Sequence, residues 1–390
     1  CADTPAAGGR MDHQDLCPGS VGVAGGMRPW GVGGRRFREV GRRGLGWPDK
    51  ERGPLMMRRY SLKLAAFLLG IAVLAGLGGA AGAGETVVDA TGRDVAVPGK
   101  VDRLAITCYG GTTHEVAVLG CAEKIVAQPG MTRFPQLLRM FPRFAEVVDP
   151  GSFDKVNVEE LMKAAPDLVL VGVSSKKGNR LIEEAGMPTY TMLIGWAAVD
   201  KLKQEFLNLG TILGREAEAR RLVDYWNEKL GWVETLVGRV PEKERKVVYY
   251  TGKTITKASA SDWGWHWIRG SGGICALEET PKGEIGVEQV MRVDPDIIVT
   301  QQGNGTADIL EDPRIQDLKA VKNKAVHECP IGAFWWDRPS PESPLGFMWL
   351  AKLLYPDYTR EIDLEKETRE FFREFYRYEL TDEEYRSFFG

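Results

Sequence analysis

The sequence predicts an α/β protein with two Rossmann-like lobes joined by a long α-helix, and three patterns lead to this fold class. Short apolar segments alternate with helical segments in two separate stretches, which is typical of parallel sheets covered by helices. A long amphipathic segment, 199–237, lies between these stretches. Residues 157–169 resemble residues 286–298 in their order of helix, Pro-Asp pair and apolar strand. We therefore expect two related lobes with a ligand cleft between them.

The first 83 residues are expected to lie outside this fold. Residues 1–55 are rich in Gly and Arg and have no helical or strand periodicity, so we predict a non-structural leader, with a basic nucleic-acid-binding arm as the alternative. Residues 56–83 have the basic start, apolar run and small-residue end of a signal peptide, which predicts cleavage after Ala83. Arg58 and Arg59 leave general secretion and twin-arginine export both open.

Removal of this leader changes the charge of the protein. The whole chain has 51 Lys and Arg against 54 Asp and Glu; residues 1–83 contain 12 and 6 of these, so 39 and 48 remain, a formal charge of −9. Nucleic acid is an unfavourable partner for such a surface, because phosphate binding needs clustered positive charge. We therefore predict an acidic, exported protein without a nucleic-acid partner.

The elements of the exported chain follow in a regular order. We expect an N-terminal lobe at 84–197, bridging helices at 198–240 and a C-terminal lobe at 241–390. The predicted strands are 86–97 as a pair, 104–106, 125–127, 168–171, 189–194, 247–250, 297–300 and 325–328. The predicted helices are 113–119, 158–165, 178–185, the bridge with a break indicated by Gly210 and Gly214, 287–292, 315–318, 345–354 and a charged tail over 364–389.

The sequence lacks three common enzyme motifs. The sequence contains no P-loop, no HExxH and no G-x-S-x-G motif. Ser174 to Lys177 match S-x-x-K without its partner motifs, so we interpret them as an ordinary loop. Cys275 and Cys329 are the candidate disulfide pair of an exported protein, and free buried thiols are the equal alternative. We predict a binding protein without a catalytic site.

Aromatic and cationic residues are dense in the segments after the strands, where open α/β sheets bind ligands. Flat rings give large contact areas, and Arg pairs with anionic groups in a bidentate manner. Neither of the Trp-rich windows, 261–267 and 334–338, has the spacing of a core helix. The candidate ligand-binding residues are Tyr109, His114, Met131, Arg133, Trp263, Trp265, His266, Trp335, Trp336 and Arg338.

These features together resemble one family. The export signal, the opening 88–93, the two helices with Pro-Asp ends and the long bridge match the periplasmic substrate-binding proteins of ABC importers for iron complexes and cobalamin, the class III type with a helical backbone between lobes. The resemblance covers about residues 86–390. It implies a monomer that binds its ligand with little hinge motion and meets a permease and its ATPase.

The resemblance also implies two docking residues and a class of ligand. Family members present one Glu per lobe to Arg residues of the permease, and the matching positions are Glu159 and Glu288. A ferric siderophore or related iron complex is the favoured ligand, and cobalamin, haem or another small metal chelate is the alternative. An enzyme acting on a metal complex is the second alternative. We expect no cofactor and no resident metal site, since His and carboxylates are not clustered.

Overall fold

The computed structural model describes residues 85–194, 198–258, 262–277, 283–301 and 305–389. The predictions for the leader and the signal peptide, 1–55 and 56–83, lie outside the described residues. Within the described part of the chain, no helix is both long and apolar enough to cross a membrane.

A small hairpin precedes the first lobe. Strands β1 (Thr86–Val88) and β2 (Asp94–Ala96) pair antiparallel, as the sequence predicts. The turn is held by Asp89, whose Oδ1 accepts hydrogen bonds from the backbone N–H of Thr91 at 2.9 Å and of Arg93 at 3.1 Å. Such a side-chain-to-backbone turn is a common use of aspartate.

The first lobe is a four-stranded parallel sheet with the order β4-β3-β5-β6. Its strands are buried on both faces, which explains their continuous apolar sequences. The strands are β3 (Leu104–Ile106), β4 (Ile125–Ala127), β5 (Leu168–Gly172) and β6 (Thr189–Met192). The helices are α1 (Thr112–Val118), α2 (Pro135–Met140), α3 (Val158–Ala164) and α4 (Lys176–Glu184).

Two long helices, α5 (Val199–Leu213) and α6 (Glu216–Val237), follow this sheet. The predicted break is confirmed at Gly214, which adopts a left-handed conformation with φ of 65° and ends α5. Helix α6 has 22 residues and is therefore about 33 Å long. Trp226 at its middle is fully buried and packs on Phe206 of α5 and on Trp263 of the second lobe. The bridge thus belongs to the protein core.

The second lobe repeats the arrangement of the first. Strands β9, β7, β11 and β12 are parallel and follow the same relative order as the first sheet, and β8 and β10 add antiparallel pairs. The strands are β7 (Val247–Thr251), β8 (Lys257–Ala258), β9 (Ile274–Cys275), β10 (Gly283–Glu284), β11 (Ile297–Thr300) and β12 (Val326–Glu328). The helices are α7 (Asp262–Gly270), α8 (Val287–Val293), α9 (Ala307–Leu310), α10 (Lys319–Lys322) and α11 (Ser343–Leu354).

The internal similarity extends to the hydrogen bonds that fix each sheet. The residues that follow α3 and α8, Ala165 and Asp294, both adopt a left-handed conformation with φ of 45°. The aspartate after each Pro then accepts backbone N–H groups at the start of the neighbouring strand. Asp167 accepts from Arg103 at 2.8 Å, and Asp296 accepts from Val247 at 2.8 Å. The two lobes are therefore related in detail, as the sequence predicts.

The C-terminal segment contacts both lobes and the bridge. It comprises α12 (Leu364–Phe371), a π-helical turn (Phe372–Tyr376) and α13 (Asp382–Ser387). Tyr376 packs on Phe141 of the first lobe, at 6.4 Å between ring centroids, and Phe388 packs on Trp336 of the second lobe, at 6.4 Å. Lys229 of α6 pairs with Glu367 at 2.8 Å. This segment ties the lobes together in addition to the bridging helices.

Three details of the sequence prediction need correction. The window around Trp263 is helix α7, because Trp263 and Trp267 are four residues apart and are both buried on one face. The predicted helix at 315–318 is wrong: α10 begins at Lys319, and the apolar residues before it are buried in a turn. Cys275 and Cys329 are both free thiols, as are Cys108 and Cys121, so the disulfide alternative is not realised.

Candidate functional site

The first-lobe side of the candidate site follows strands β3 and β4. Tyr109 lies three residues beyond β3, and its hydroxyl donates to the carbonyl of Gly130 at 3.2 Å. The guanidinium of Arg133, six residues beyond β4, lies 4.7 Å from the centroid of the Tyr109 ring. This cation–π contact holds the partly exposed Arg133 in place without neutralising its charge.

The second-lobe side is the loop between β12 and α11. It presents Trp335, which is half-buried, and Arg338, whose side chain is 27% exposed. Arg338 lies 3.8 Å from the buried carboxylate of Asp337, which accepts the hydroxyl hydrogen of Tyr250. The contact with Asp337 orients Arg338, and part of the Arg338 guanidinium remains accessible to an anion.

One buried carboxylate holds this loop in shape. Glu342 accepts four hydrogen bonds: from the backbone N–H groups of Ala333 and Phe334 at 3.1 Å each, from the indole of Trp336 at 3.1 Å, and from the hydroxyl of Tyr376 at 2.8 Å. Burial raises the pKa of Glu342 to about 7, against the lowering effect of these donors. The loop carrying Trp335 and Arg338 is thereby fastened to the C-terminal segment.

The two lobes touch directly behind the candidate site. His114 of α1 donates from Nε2 to the carbonyl of Ala333 at 2.8 Å, and its ring packs on Phe134 and Phe334. Burial lowers the pKa of His114 to about 4, so the ring is neutral at physiological pH. A side chain at Gly111 would have its Cβ 3.0 Å from the carbonyl oxygen of Pro339, which explains the glycine there. The two lobes are therefore in direct contact at this place.

The structure divides the ten predicted ligand-binding residues into two groups. Six keep exposed surface: Tyr109, Arg133, Trp265, His266, Trp335 and Arg338. The other four, which are His114, Met131, Trp263 and Trp336, are buried, with exposures of 1%, 3%, 1% and 0%. Their rings and thioether fill the core and the contact between lobes, because large apolar side chains at strand ends also serve packing.

Glu159 and Glu288 occupy equivalent exposed positions. Each is the second residue of its helix, α3 or α8. A carboxylate there is favoured by the helix N-terminus while it remains available to solvent. Among the described residues, no group of three or more His, Cys, Asp or Glu side chains is arranged to hold a metal ion.

Sequence reasoning missed a pair of buried carboxyl groups beneath the first-lobe strand ends. Glu115 of α1 and Glu205 of α5 are both buried, and Glu205 accepts the backbone N–H of Leu193 at 2.8 Å. Burial raises the pKa of Glu205 to about 8, and burial together with the charge of Glu205 raises that of Glu115 well above its ordinary value. The sequence carries no clear signal for the pair, because Lys203 and Gln204 directly precede Glu205 in its helix.

This pair predicts a pH dependence of stability. The folded protein keeps protons on these carboxyl groups above their ordinary pKa of 4.5, so its free energy of unfolding falls as pH rises from about 4.5 to about 8. We expect Glu115→Gln to reduce this slope by up to about 1.4 kcal/mol per pH unit. The slope is measured from the free energy of unfolding in urea at pH 5, 6, 7 and 8. Glu123→Gln, at an exposed position, is the control. An unchanged slope would contradict the coupling of the pair.

Comparisons with known proteins agree with this architecture. The family described as periplasmic binding protein matches residues 106–331. The molybdate-binding protein MolA of Haemophilus influenzae is 24% identical over 346 residues, which cover 81% of this chain and 97% of MolA. The chain therefore belongs to the periplasmic substrate-binding proteins of ABC transporters.

Solved structures show the same fold. The periplasmic solute binding protein from Veillonella parvula is 26% identical, with a TM-score of 0.67 over 78% of this chain and 96% of its own. The structure of H. influenzae MolA bound to molybdate is 22% identical, with a TM-score of 0.68 over 76% of this chain and 99% of its own. Both therefore share the two-lobed fold described above.

Proposed function

We propose that this protein is the exported substrate-binding component of an ABC importer and that its ligand is an anion held between the lobes. One observation carries the ligand class: Arg133 and Arg338 are partly exposed and lie on adjoining loops, one from each lobe, beyond the ends of parallel strands. The loops adjoin because Phe134 contacts Trp335, with 4.9 Å between ring centroids. Two guanidinium groups on opposing lobes favour an anion.

A small metal oxyanion of the molybdate type is the ligand that we favour within this class. The contacts of His114 with Ala333 and of Phe134 with Trp335 bring the lobes together, which suits a small ligand. The similarity to MolA over nearly its whole length supports the same choice. The protein would then deliver the anion to a permease after export to the periplasm.

A ferric siderophore is the second candidate. The half-buried rings of Tyr109, Trp265 and Trp335 favour it, since aromatic faces bind the flat chelating groups of such ligands. Four of the aromatic and polar residues that first suggested it are buried, which weakens this candidate relative to the oxyanion. Cobalamin and haem are tested as further members of the metal-chelate class.

The test is a titration of the purified protein with molybdate, tungstate, phosphate, ferric catecholate and hydroxamate complexes, cobalamin and haem, followed by calorimetry and tryptophan fluorescence. We expect Arg133→Ala and Arg338→Ala each to weaken binding about 10- to 100-fold, because each removes a charge-assisted hydrogen bond. Arg180→Ala, an exposed arginine on α4, is the matched control. Tightest binding to a ferric complex would select the second candidate, and no binding of any anion would contradict the proposal.

A further inference from the structure

The equivalent helices α3 and α8 present similar side chains to solvent. Glu159 is followed three residues later by Met162, and Glu288 by Met291. Met162 is 57% exposed, which is unusual for a large apolar side chain, and Met291 is half-buried. The adaptable thioether of methionine is well suited to a protein interface. Each lobe therefore carries a surface made of one acidic and one apolar residue.

The cations of the two surfaces differ in their partners. In α3, Lys163 pairs with Glu160 at 2.7 Å, so its charge is neutralised within the helix. The residues at the same positions of α8 are Arg292 and Gln289, and Gln289 is uncharged. The Gln289 side chain instead accepts the backbone N–H of Gly286 at 3.1 Å. Arg292 is exposed and has no hydrogen bond or ion pair within the described part of the chain.

A cavity of about 780 Å³ lies beside this arginine. Its lining includes Glu288, Met291, Arg292 and Arg314. Arg314 is bound by Asp312 through contacts of 2.6 and 2.9 Å, so its charge is balanced inside the protein. Arg292 is consequently the cation of this cavity whose charge remains available to a partner.

We propose that the cavity beside Glu288 receives an acidic side chain of the permease, which pairs with Arg292 while Glu288 pairs with a basic residue. This inference deepens the proposed function and depends on it. Docking removes water from the cavity. Burial of the Arg292 charge without a carboxylate partner would therefore be unfavourable for the free energy of binding. The apolar wall at Met291 excludes water from the new pair and strengthens it. An acidic side chain therefore complements the cavity.

The difference between the lobes has a consequence for orientation. The first lobe, with Lys163 already neutralised by Glu160, offers net negative charge and requires a basic surface opposite it. The second lobe offers Glu288 and Arg292 together and requires one basic and one acidic group. Opposed charges set the register of an interface, so the two lobes dock at chemically different places on the permease.

The experiment measures binding of the purified protein to its cognate permease–ATPase complex in nanodiscs of zwitterionic lipid. We expect Arg292→Glu to weaken this binding at least about tenfold, because it places two like charges opposite each other. Arg292→Lys should retain most of the affinity. Lys163→Glu is the matched control at the equivalent position of the first lobe and should not weaken binding, since it adds negative charge to a surface that faces basic groups.

Two further measurements, of thermal unfolding and of ligand affinity, show whether Arg292→Glu affects docking alone. Thermal unfolding and ligand affinity should be unchanged in Arg292→Glu, because the side chain is exposed and distant in sequence from the ligand loops. Wild-type affinity of Arg292→Glu, or a loss equal to that of Lys163→Glu, would overturn the inference. The same measurement is repeated in nanodiscs that contain anionic lipid, and a loss seen only there would assign Arg292 to a lipid headgroup and also overturn the inference. If the wild-type protein does not bind the permease at all, the proposed function itself fails.

Discussion

Replacing Glu342 with alanine is expected to lower the free energy of unfolding by about 3–5 kcal/mol, because four buried donors lose their acceptor and a cavity remains. The donors are the N–H groups of Ala333 and Phe334, the indole of Trp336 and the hydroxyl of Tyr376. Glu342→Gln keeps one oxygen acceptor and should lose about half as much. Guanidinium unfolding at pH 7.5 measures both variants.

The control is Glu361→Ala. Glu361 is exposed, and its ion pair with Arg239 at 3.0 Å should contribute less than about 1 kcal/mol to the free energy of unfolding. A second readout follows from the position of the loop. Because Glu342 fastens the segment that carries Arg338, we expect the two Glu342 variants to bind the anion more weakly as well. Wild-type stability of Glu342→Ala would show that the loop is held by other contacts.

If Glu159 and Glu288 pair with basic residues of the permease, as we propose, replacing both with alanine is expected to reduce ligand-stimulated ATPase activity of the reconstituted importer by at least about tenfold. Both residues are exposed, so the folded protein and its ligand affinity should be unaffected. The measurement is ATP hydrolysis by the permease–ATPase complex as a function of the concentration of liganded binding protein.

Glu234→Ala with Glu361→Ala is the matched control for this pair. It removes the same charge from exposed positions outside α3 and α8, so it separates local docking from the effect of net charge. Each single variant, Glu159→Ala or Glu288→Ala, should give an intermediate loss. If the double variant stimulates ATP hydrolysis as strongly as the wild type does, the docking role of Glu159 and Glu288 is contradicted. This result does not test ligand binding.

Most of the fold was predictable because its signals are local. Strands buried on both faces require continuous apolar segments, as at 168–172, and a helix that ends before Pro-Asp is visible as a pattern. The repeat of that pattern at 286–298 disclosed the second lobe. The prediction failed in two segments: 315–318 is a turn and not a helix, and the segment around Trp263 is a helix. Two apolar residues are too few to distinguish helical from irregular spacing, so neighbouring elements decide the conformation of such short segments.

The candidate site was predictable in part. Tyr109, Arg133 and Arg338 were found because they follow strands, where α/β proteins expose ligand-binding residues. The sequence gives no sign that Trp336 points into the core while its neighbour Trp335 keeps exposed surface. That division depends on Glu342 and Phe388, which are distant in the chain and meet Trp336 only after folding.

The sequence by itself determined the two related lobes, the helical bridge between them and the placement of the candidate ligand residues after the strands. These features follow from periodicity and from residues that end helices, which act over a few positions of the chain. Only the tertiary structure decided which aromatic side chains remain accessible and how Glu115 meets Glu205. Burial and charge pairing depend on side chains that approach from distant segments, and no local pattern encodes which of them meet.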